Sequence, residues 1–422
     1  MDKRLISDSK WLVDEKLQTL LAALSTDGEE ARIVGGAVRN TLLGQTVTDI
    51  DIATTTEPGE TVRRARSAGF RTAPTGIDHG TVTVIADGRA WEVTTLRADV
   101  ETDGRHASVT FGRDWRSDAE RRDFTINALY ARADGEIVDL VGGLPDLENR
   151  TLRFIGDADT RITEDYLRIL RFFRFFAWYG RGRPDAAGLK ACARHRDGLE
   201  RLSAERVWAE LKKLLSAPDP SRALLWMRQT GVLTTILPES EKWGIDTIGP
   251  LIEAEQAFGW QPDPLLRLAA IIPPHEPRIA ELGRRLRLSN AERAAFEGWA
   301  GAPLPAADVS ESGFRKLAYR ADAKGLSWRL KLALVSARAR ASGDDRALME
   351  AAGYTRLMKL AEAWQKPSFP VNGNDLAKLG LEKGKAVGEV LARLEEEWIA
   401  SDFSLKRDAL LERAAAMISS AG

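Results

Sequence analysis

The sequence has one cysteine, no long apolar run and almost no net charge. Cys192 has no second cysteine to pair with, which excludes an internal disulfide and a cysteine-rich zinc site. No apolar stretch approaches the roughly 18 residues that a membrane-spanning helix needs. The start, MDKRLISDSKWLVDEK, lacks the apolar core of a signal peptide. These absences favour a cytoplasmic protein that does not act in a membrane.

The charges are balanced, with 61 lysines and arginines against 62 aspartates and glutamates. This balance gives no overall field that would attract nucleic acid, although local basic faces can coexist with a neutral total. A hydrophobic fraction of 44% is typical of globular proteins. The chain of 422 residues exceeds one ordinary domain of about 150 residues and predicts roughly two to four units.

The first 150 residues predict a mixed α/β domain, because short β-rich runs alternate with helical patterns there. The β-rich runs are ARIVGG, TDIDIAT, GTVTVIA, AWEVTTLR and GEIVDLVGG, and the helical patterns are WLVDEKLQTLLAAL and GETVRRARSAGF. After Arg150 the strand signals fade and amphipathic helical patterns continue to the end of the chain. We therefore expect an α/β head followed by a long helical body.

A glycine pair follows the first predicted strand. We expect ARIV to turn at Gly35 and Gly36 into the short helix AVRNTLL. A glycine pair lets the backbone approach a phosphate closely, and a helix N-terminus offers unpaired N–H groups. Arg39 adds a forked cation on the first turn. The alternative is a purely structural turn, since Gly-Gly turns are common.

Two aspartates alternate in the next predicted strand, TDIDIAT. In a strand, Asp49 and Asp51 project from one face while Ile50 and Ile52 project toward the core. Neighbouring carboxylates repel each other unless a cation lies between them, and their hard oxygens suit Mg²⁺. The alternative is an exposed edge strand with two solvated acids.

A polar stripe is expected on a later helix. Asp165, Arg168, Arg171 and Arg174 recur every three residues in EDYLRILRFFR, which predicts that they share one side of the helix. The alternative interpretation is a solvated face with ion pairs between residues three apart.

In this order the segments resemble the class II tRNA nucleotidyltransferase and poly(A) polymerase family, within the polymerase-β-like nucleotidyltransferases. GGAVRN…LLG…DIDIAT resembles the first motif and RRDFTINALY (121–130) the second. EDYLRILRFFR (164–174) resembles the nucleotide-selection helix and RLSAERVWAEL (201–211) the last common motif. The resemblance covers residues 31–215 and is looser beyond them. One departure is Asn40, where the family often has aspartate; it affects a helix-end contact from this position but not the metal site.

The resemblance implies an α+β fold, in which a polymerase-β-like nucleotidyltransferase head is followed by an elongated, all-helical neck, body and tail. The expected domains are a catalytic head at 1–150, a nucleotide-selecting neck at 151–215, and a tRNA-binding body and tail at 216–422.

The resemblance also implies roles for residues of the head. Gly35, Gly36 and Arg39 would position a triphosphate, and Asp49 and Asp51 would hold Mg²⁺ as catalytic and metal-binding residues.

A third carboxylate, Glu92 in EVTTLR, is a candidate to join the metal pair and to help deprotonate the attacking hydroxyl; alternatively it is a surface acid paired to Arg97. Arg122 would lie near the phosphates or base. Asp123 would lie near the ribose, with helix capping as its alternative role.

For the neck, the resemblance implies that Asp165 and Arg168 form a protein template for the incoming base, and that Arg171 and Arg174 contact the nucleotide or its phosphates. A carboxylate accepts and a guanidinium donates, so the pair matches the amino donor and ring-nitrogen acceptor of cytosine and adenine. Uracil and guanine present an acceptor beside an N–H, which would leave buried groups unpaired.

The implied activity is addition of C, C and A to the tRNA 3′ end from CTP and ATP without a nucleic-acid template. The expected partner is the tRNA acceptor arm and 3′ end, with no obligate protein partner. Open alternatives are a CC-adding or A-adding relative, a bacterial poly(A) polymerase, and a catalytically silent RNA-binding protein.

The polar segment 98–115 is predicted to be a mobile loop. Its full length resembles the loop of CCA-adding members, which is thought to help readjust the pocket from CTP to ATP.

Overall fold

The computed structural model describes residues 9–98, 110–241, 243–381 and 384–421. The chain forms two compact units, Met1–Pro238 and Glu239–Gly422. The residues predicted as head and neck lie together in the first unit. The finer division into three domains stays a prediction.

A mixed sheet forms the core of the first unit. The strands are β1 (Ala31–Val34), β2 (Asp51–Thr54), β3 (Arg71–Gly76), β4 (Thr81–Ala86), β5 (Arg89–Thr95), β6 (Arg97–Ala98), β7 (Thr110–Phe111), β8 (Leu129–Ala131) and β9 (Ile137–Asp139). Seven of them form one sheet in the order β3-β4-β5-β2-β1-β8-β9, while β6 and β7 pair separately. β2 and β5 pair in parallel, and the other described neighbours in the seven-stranded sheet are antiparallel.

Each of the five β-rich runs of the sequence contains a strand, so those predictions are confirmed. Two strands of the seven-stranded sheet, β3 and β8, were missed. The run of β3, RTAPTG, contains proline and glycine, which a strand at the sheet edge tolerates. The segment before β8 forms a 3-10 helix at Thr125–Asn127, so the helix that Asp123 was alternatively expected to cap is only one turn long.

Helices complete the first unit. They are α1 (Glu15–Leu24), α2 (Gly36–Leu42), α3 (Pro58–Ser67), α4 (Trp115–Glu120), α5 (Gly143–Glu148), α6 (Ala158–Glu164), α7 (Leu167–Tyr179), α8 (Ala186–Arg194), α9 (Ala204–Leu215), α10 (Ser221–Gln229) and α11 (Val232–Ile236). Side-chain caps begin several of them, including Asp14 at α1 and Ser203 at α9.

Aromatic rings pack helix α7 against the segments that contain Phe124 and Phe154. The rings of Phe154 and Phe172 are stacked with centroids 5.4 Å apart, and Phe124 lies 4.9 Å from Phe154. Phe124 also lies 5.4 Å from Phe175. These buried rings fix the helix against the segment that contains RRDFTINALY.

The regular secondary structure among the described residues of the second unit is entirely helical, as predicted. Its helices are α12 (Ile248–Phe258), α13 (Pro264–Ala270), α14 (Glu276–Arg285), α15 (Asn290–Gly301), α16 (Glu311–Arg320), α17 (Ala323–Arg340), α18 (Asp345–Ala363), α19 (Gly373–Lys378), α20 (Lys385–Ala400) and α21 (Arg407–Ala421). In the part of the chain that the structure describes, no helix has the length and apolar character needed to cross a bilayer.

A buried ion pair joins α12 to α13. Arg267 donates from Nη2 to Oε2 of Glu255 at 2.6 Å and from Nε to Oε1 at 3.1 Å. The side chains are 1% and 4% exposed, so neither charge can be hydrated if its partner is lost.

We predict that Arg267→Met lowers the free energy of unfolding by about 3–5 kcal/mol, because Glu255 would remain buried without its partner. Urea unfolding followed by circular dichroism measures the change. Arg413→Met is the matched control, since Arg413 pairs with Glu397 at 2.6 Å on the surface; it should cost less than about 1 kcal/mol. Equal, small effects of both substitutions would contradict the prediction.

Candidate active site

A glycine turn joins β1 to α2. Gly35 has φ +70°, a conformation that favours glycine. Its N–H donates to the carbonyl of Leu129 in β8 at 3.0 Å, which holds the turn against the sheet. The first helical residue of α2 is Gly36, as the sequence predicted for the strand–turn–helix.

Arg39 lies against this turn and is 6% exposed. Its Nη2 donates to the Tyr179 hydroxyl at 2.8 Å and to Oδ1 of Asn40 at 3.0 Å, and its Nε donates to the same Asn40 oxygen at 3.2 Å. Its Nη1 donates to Oδ1 of Asn127. Burial lowers the pKa of Arg39, and Tyr179 opposes that shift. The guanidinium is therefore held in one place rather than free on the surface.

The hydrogen bonds of Asn40 account for an asparagine at this position, where the family often has aspartate. Its Oδ1 accepts from Arg39, and its Nδ2 donates to the carbonyl of Thr46 at 3.2 Å. An aspartate could accept from Arg39 but could not donate to Thr46. Asn40 thus stabilises the segment between α2 and Asp49 through its hydrogen bond to Thr46.

Asp49 and Asp51 do not share one strand, so that part of the prediction was wrong. β2 begins at Asp51, which is opposite Val34 at the end of β1. Because β1 turns away at Gly35, Asp49 has no ladder partner and precedes the strand. Its Oδ2 accepts from the hydroxyl of Thr48 at 3.0 Å.

Three carboxylates nevertheless interact at this end of the sheet. Parallel pairing places Glu92 of β5 directly opposite Asp51 of β2. Partial burial and the charge of Glu92 raise the pKa of Asp51, with a further contribution from Asp49, while Arg122 opposes the rise. The Glu92 side chain has no hydrogen bond or ion pair with any described residue, although its backbone is part of the sheet. Its alternative partner, Arg97, instead donates to the carbonyl of His79.

These oxygens fit a hard divalent cation in chemistry. Burial and repulsion from Glu92 and Asp49 together raise the pKa of Asp51, and a positive ion would relieve the repulsion. Within the described ranges, however, no group of three or more His, Cys, Asp or Glu side chains is arranged so that it could hold a metal by itself. A cation such as Mg²⁺ typically takes one or two carboxylates and completes its shell with water and substrate phosphates. Two aspartates are therefore sufficient protein ligands for such a site.

Arg122 supplies the positive charge beside the carboxylates. It donates from Nη2 to Oδ2 of Asp118 at 3.1 Å and from Nε to the Tyr130 hydroxyl at 3.3 Å. Tyr130 in turn donates to Asp118 at 2.8 Å, and burial together with the charge of Asp118 raises the Tyr130 pKa. This network orients Arg122, whose positive charge opposes the rise in the pKa of Asp51.

Asp123 connects the head segment to α7. Arg171 donates to its Oδ2 from Nε at 2.8 Å and from Nη2 at 2.5 Å. Its Oδ1 accepts from Nδ2 of Asn127 at 3.0 Å and from the N–H of Phe124 at 2.9 Å. Burial alone would raise the pKa of Asp123, but Arg171 and these hydrogen bonds hold it below its usual range. Asn127 also accepts from Arg39, so the network reaches the glycine turn.

The expected stripe on α7 is divided among several elements. Asp165 precedes the helix with φ -152°, and its Oδ1 accepts from the N–H of Leu167 at 3.0 Å. The prediction that Asp165 lies on the helix was therefore wrong, because its backbone is extended between the end of α6 and the start of α7. Arg168, Arg171 and Arg174 do lie on α7.

Asp165 and Arg168 do not pair with each other. Arg206 of α9 donates to Oδ2 of Asp165 at 2.7 Å. Arg168 donates to Glu164 and to the carbonyl of Arg161.

The last member of the stripe contacts the neighbouring helix. Arg174 donates from Nε to Oε2 of Glu210 on α9 at 2.5 Å. Helix α9 thus supplies ionic partners at both ends of the stripe.

The sequence reasoning missed several residues that shape the site: Asp118, Asn127, Tyr179, Arg206 and Glu210. Arg206 and Glu210 lie four residues apart in RLSAERVWAEL, so they could have been expected on one helix face. Asp118 precedes Arg122 by four residues, a spacing that also signals a helical ion pair. No motif in the sequence marked Tyr179 as a residue of the site.

The described ends of the segment 98–115, which was predicted to be a loop, form regular secondary structure. β6 and β7 pair Arg97 with Phe111 and Ala98 with Thr110, and α4 starts at Trp115 with Asp114 as its cap. The loop boundaries predicted from the sequence were therefore too wide. Residues 99–109 lie outside the described residues.

Comparison with known proteins identifies two family models in the chain. The first, described as the poly A polymerase head domain, matches residues 31–153. The second, described as the probable RNA and SrmB-binding site of polymerase A, matches residues 185–243.

Similar proteins align over nearly the whole chain. The mitochondrial CCA tRNA nucleotidyltransferase 1 of Mus musculus is 36% identical over 407 residues, which cover 95% of this chain and 90% of that protein. The CCA-adding enzyme of Latilactobacillus sakei subsp. sakei is 31% identical over 404 residues, covering 94% of this chain and 96% of that protein.

Solved structures have the same fold. The Bacillus stearothermophilus CCA-adding enzyme in complex with CTP is 25% identical with a TM-score of 0.72, over 96% of this chain and 97% of that one. The Thermotoga maritima CCA-adding enzyme complexed with tRNA is 21% identical with a TM-score of 0.61, over 96% of each chain. At this identity the similarity shows only that the fold is shared. The expected α/β head with a mainly helical remainder is thereby confirmed.

We predict that Asp123→Asn destabilises the protein in a pH-dependent way. Because Arg171 lowers the pKa of Asp123, the stabilisation is fully present above the unfolded pKa, near 3.9, and is lost as pH falls through the lower folded value. The variant should lose about 1–3 kcal/mol at pH 7, and this difference should shrink below about pH 4.

Urea unfolding between pH 3 and pH 7 measures this difference. Asp87→Asn is the control, since the Asp87 side chain is 74% exposed and lies 4.0 Å from its nearest cation, Lys16. A difference between wild type and Asp123→Asn that is the same at every pH would contradict the prediction.

Proposed function

The chain belongs to the CCA-adding tRNA nucleotidyltransferase family, and we propose that it adds C, C and A to the 3′ end of tRNA from CTP and ATP without a nucleic-acid template. The proposal is carried by the interaction of Asp49, Asp51 and Glu92 at one sheet end, beside Arg122. Such an arrangement suits phosphoryl-type transfer, in which catalysis is mainly positioning and charge stabilisation.

Asp49 and Asp51 would hold a divalent metal ion, for which we propose Mg²⁺. The bound ion would lower the pKa of the attacking hydroxyl and neutralise charge that develops on the phosphates. The register of Asp51 opposite Glu92 supports this assignment, because the charges of Glu92 and Asp49 add to burial in raising the pKa of Asp51.

The reacting groups would be arranged by residues of the head. The 3′ hydroxyl oxygen forms a bond to the α-phosphorus, the bond to the bridging oxygen of the β-phosphate breaks, and pyrophosphate leaves. Glu92 would accept the hydroxyl proton, supported by its register opposite Asp51 and its lack of a described cationic partner.

Gly35, Gly36 and Arg39 would position the triphosphate, with Arg122 facing the same negative charge. Asp123 would lie near the ribose, while its carboxylate keeps Arg171 in place.

Asp165 and Arg168 would select the base. Arg206 binds one oxygen of Asp165 and a backbone N–H binds the other, which orients the carboxylate but leaves lone pairs to accept an amino group. Arg168 would exchange Glu164, which is 43% exposed, for the ring nitrogen of cytosine or adenine.

Arg171 and Arg174 would contact the nucleotide or its phosphates from the next turns of α7. Their side chains are 32% and 14% exposed, and each is already oriented by an acid. Arg171 therefore retains more surface for such a contact than Arg174 does.

The tRNA acceptor arm would be bound by the helical remainder of the chain. RNA helices are recognised largely through their shape and phosphates, which local basic faces can contact although the total charge is -1. The match to an RNA-binding model at residues 185–243 supports a contribution from α8 to α11.

The proposed location is the cytoplasm. The single cysteine suits a reducing compartment, but the Mus musculus relative is a mitochondrial protein. Fractionation of the source cells distinguishes the two compartments.

The activity is tested with tRNA transcripts that end at the discriminator base, after C, or after CC. Purified protein and Mg²⁺ receive each nucleotide singly and then CTP with ATP, and products are sized to one nucleotide. Growth by C, C and A that then stops is expected. Growth by CC alone, by A alone on the CC-ended tRNA, or by long A tracts would instead identify a narrower relative or a poly(A) polymerase.

We predict that Asp51→Asn lowers the rate of incorporation on the order of a thousand-fold or more, because it removes a metal-binding charge. tRNA binding, measured by gel shift, should not change, and chelation of the metal should abolish wild-type activity. Asp87→Asn is the matched surface control. If wild type and Asp51→Asn were equally inactive but both bound tRNA, a silent RNA-binding protein would be the better explanation.

We also predict that Asp165→Asn increases incorporation of UTP relative to CTP by about ten-fold or more, since an amide can donate to the uracil carbonyl where a carboxylate cannot. Single-nucleotide incorporation measures the ratio. Asp159→Asn is the control, because Asp159 pairs with Arg194 and His195 instead. An unchanged ratio would show that Asp165 does not read the base.

A further inference from the structure

Tyr179 is the last residue of α7 and connects this helix to the glycine turn. Its hydroxyl accepts a hydrogen bond from Nη2 of Arg39 at 2.8 Å. Its ring also lies under the guanidinium, with 4.0 Å from the Arg39 Cζ to the ring centroid. One side chain thus supplies both a hydrogen-bond acceptor and a π-face to the same cation.

Three residues of α7 form a single face toward the head. Arg171, Phe175 and Tyr179 are four residues apart, a spacing that places them in one row along a helix. Arg171 binds Asp123, and the rings of Phe175 and Tyr179 are 5.8 Å apart with 29° between their planes. The Arg39 Cζ lies 5.3 Å from the Phe175 centroid. The face therefore has two polar contacts to the head, separated by an aromatic ring.

The hydrogen bonds of Arg39 leave it little freedom. Of the five N–H groups that a guanidinium carries, four are used on Asn40, Asn127 and Tyr179. The remaining N–H, on Nη1, has no hydrogen-bond acceptor among the described residues. The direction of this last donor is fixed by the contacts that hold the others.

We propose that Tyr179 is a positioning residue for the nucleotide triphosphate, acting through Arg39. This inference rests on the proposed function, in which Arg39 and the glycine turn hold the phosphates. Tyr179 orients the Arg39 guanidinium so that its remaining donor faces the phosphates. It also fixes the distance between the phosphate-binding turn and the helix that carries Arg168.

The proposal predicts a specific kinetic effect. The triphosphate is common to CTP and ATP, so weakening Arg39 should affect both nucleotides equally. Tyr179→Phe removes the hydroxyl and keeps the ring, and we expect KM for CTP and for ATP to rise about five- to ten-fold. kcat should stay within about two-fold, and rejection of UTP and GTP should not change, because Asp165 and Arg168 are untouched.

The experiment compares wild type, Tyr179→Phe, Arg39→Lys and the double variant. CTP addition is followed on tRNA ending at the discriminator base, and ATP addition on CC-ended tRNA; calorimetric CTP binding gives the comparison without turnover. If Tyr179 acts through Arg39, Tyr179→Phe should add nothing in the Arg39→Lys background. Tyr319→Phe is the matched control, since its hydroxyl donates to Glu395 at 2.5 Å in the second unit; its KM values should match wild type.

Three results would overturn the inference: unchanged KM and CTP affinity in Tyr179→Phe, a fall in kcat without a change in KM, or an equal penalty with and without Arg39. Thermal melts of all variants identify any that fail to fold, and Tyr179→Trp, which keeps a π-face but moves the polar group, then provides the second comparison. Wild-type protein that does not extend tRNA would contradict the proposed function. Active wild type with an unaffected Tyr179→Phe would contradict only the role of Tyr179.

Discussion

The buried carboxylate of Asp123 is the contact on which the arrangement of the site depends. It accepts from Arg171 on α7, from Asn127, and from the N–H of Phe124. A buried charge without partners is costly, so movement of α7 away from the head would leave Asp123 uncompensated. Because Asn127 also binds Arg39, the same network holds the glycine turn. The proposed phosphate-binding and base-selecting parts thus belong to one connected structure.

A second constraint comes from the register of the sheet. The parallel pairing of β2 with β5 brings Glu92 beside Asp51, although the two residues are far apart in sequence. β1 ends at the glycine turn, which leaves Asp49 free of the ladder and able to approach from the preceding segment. The turn therefore has two roles: it forms the proposed phosphate-binding backbone, and it ends β1 so that Asp49 lies outside the ladder.

The local features of this protein could be predicted from its sequence, and the long-range contacts could not. The strand–turn–helix around Gly35 is a local pattern, and the structure has it where it was expected, whereas Asp49 precedes the strand in which it was placed. The partner of Asp165 could not be predicted, because Arg206 reaches it from a separate helix.

The polar stripe illustrates the same limit on α7. A three-residue spacing drew attention to Arg168, Arg171 and Arg174, whereas the contacts with the head follow the four-residue row through Phe175 to Tyr179. Periodicity indicates which residues share a face, but packing decides which face meets the head.

The central claim is that one nucleotide spans both parts, with its metal at Asp49 and Asp51 and its base at Asp165 and Arg168. A crystal structure of the protein with a non-hydrolysable CTP analogue and Mn²⁺, in which anomalous scattering locates the metal, tests this most directly. The account predicts a metal peak bound by oxygens of Asp49 and Asp51, and the cytosine amino group within hydrogen-bond distance of Asp165. A metal bound elsewhere, or a cytosine that contacts neither Asp165 nor Arg168, would contradict it.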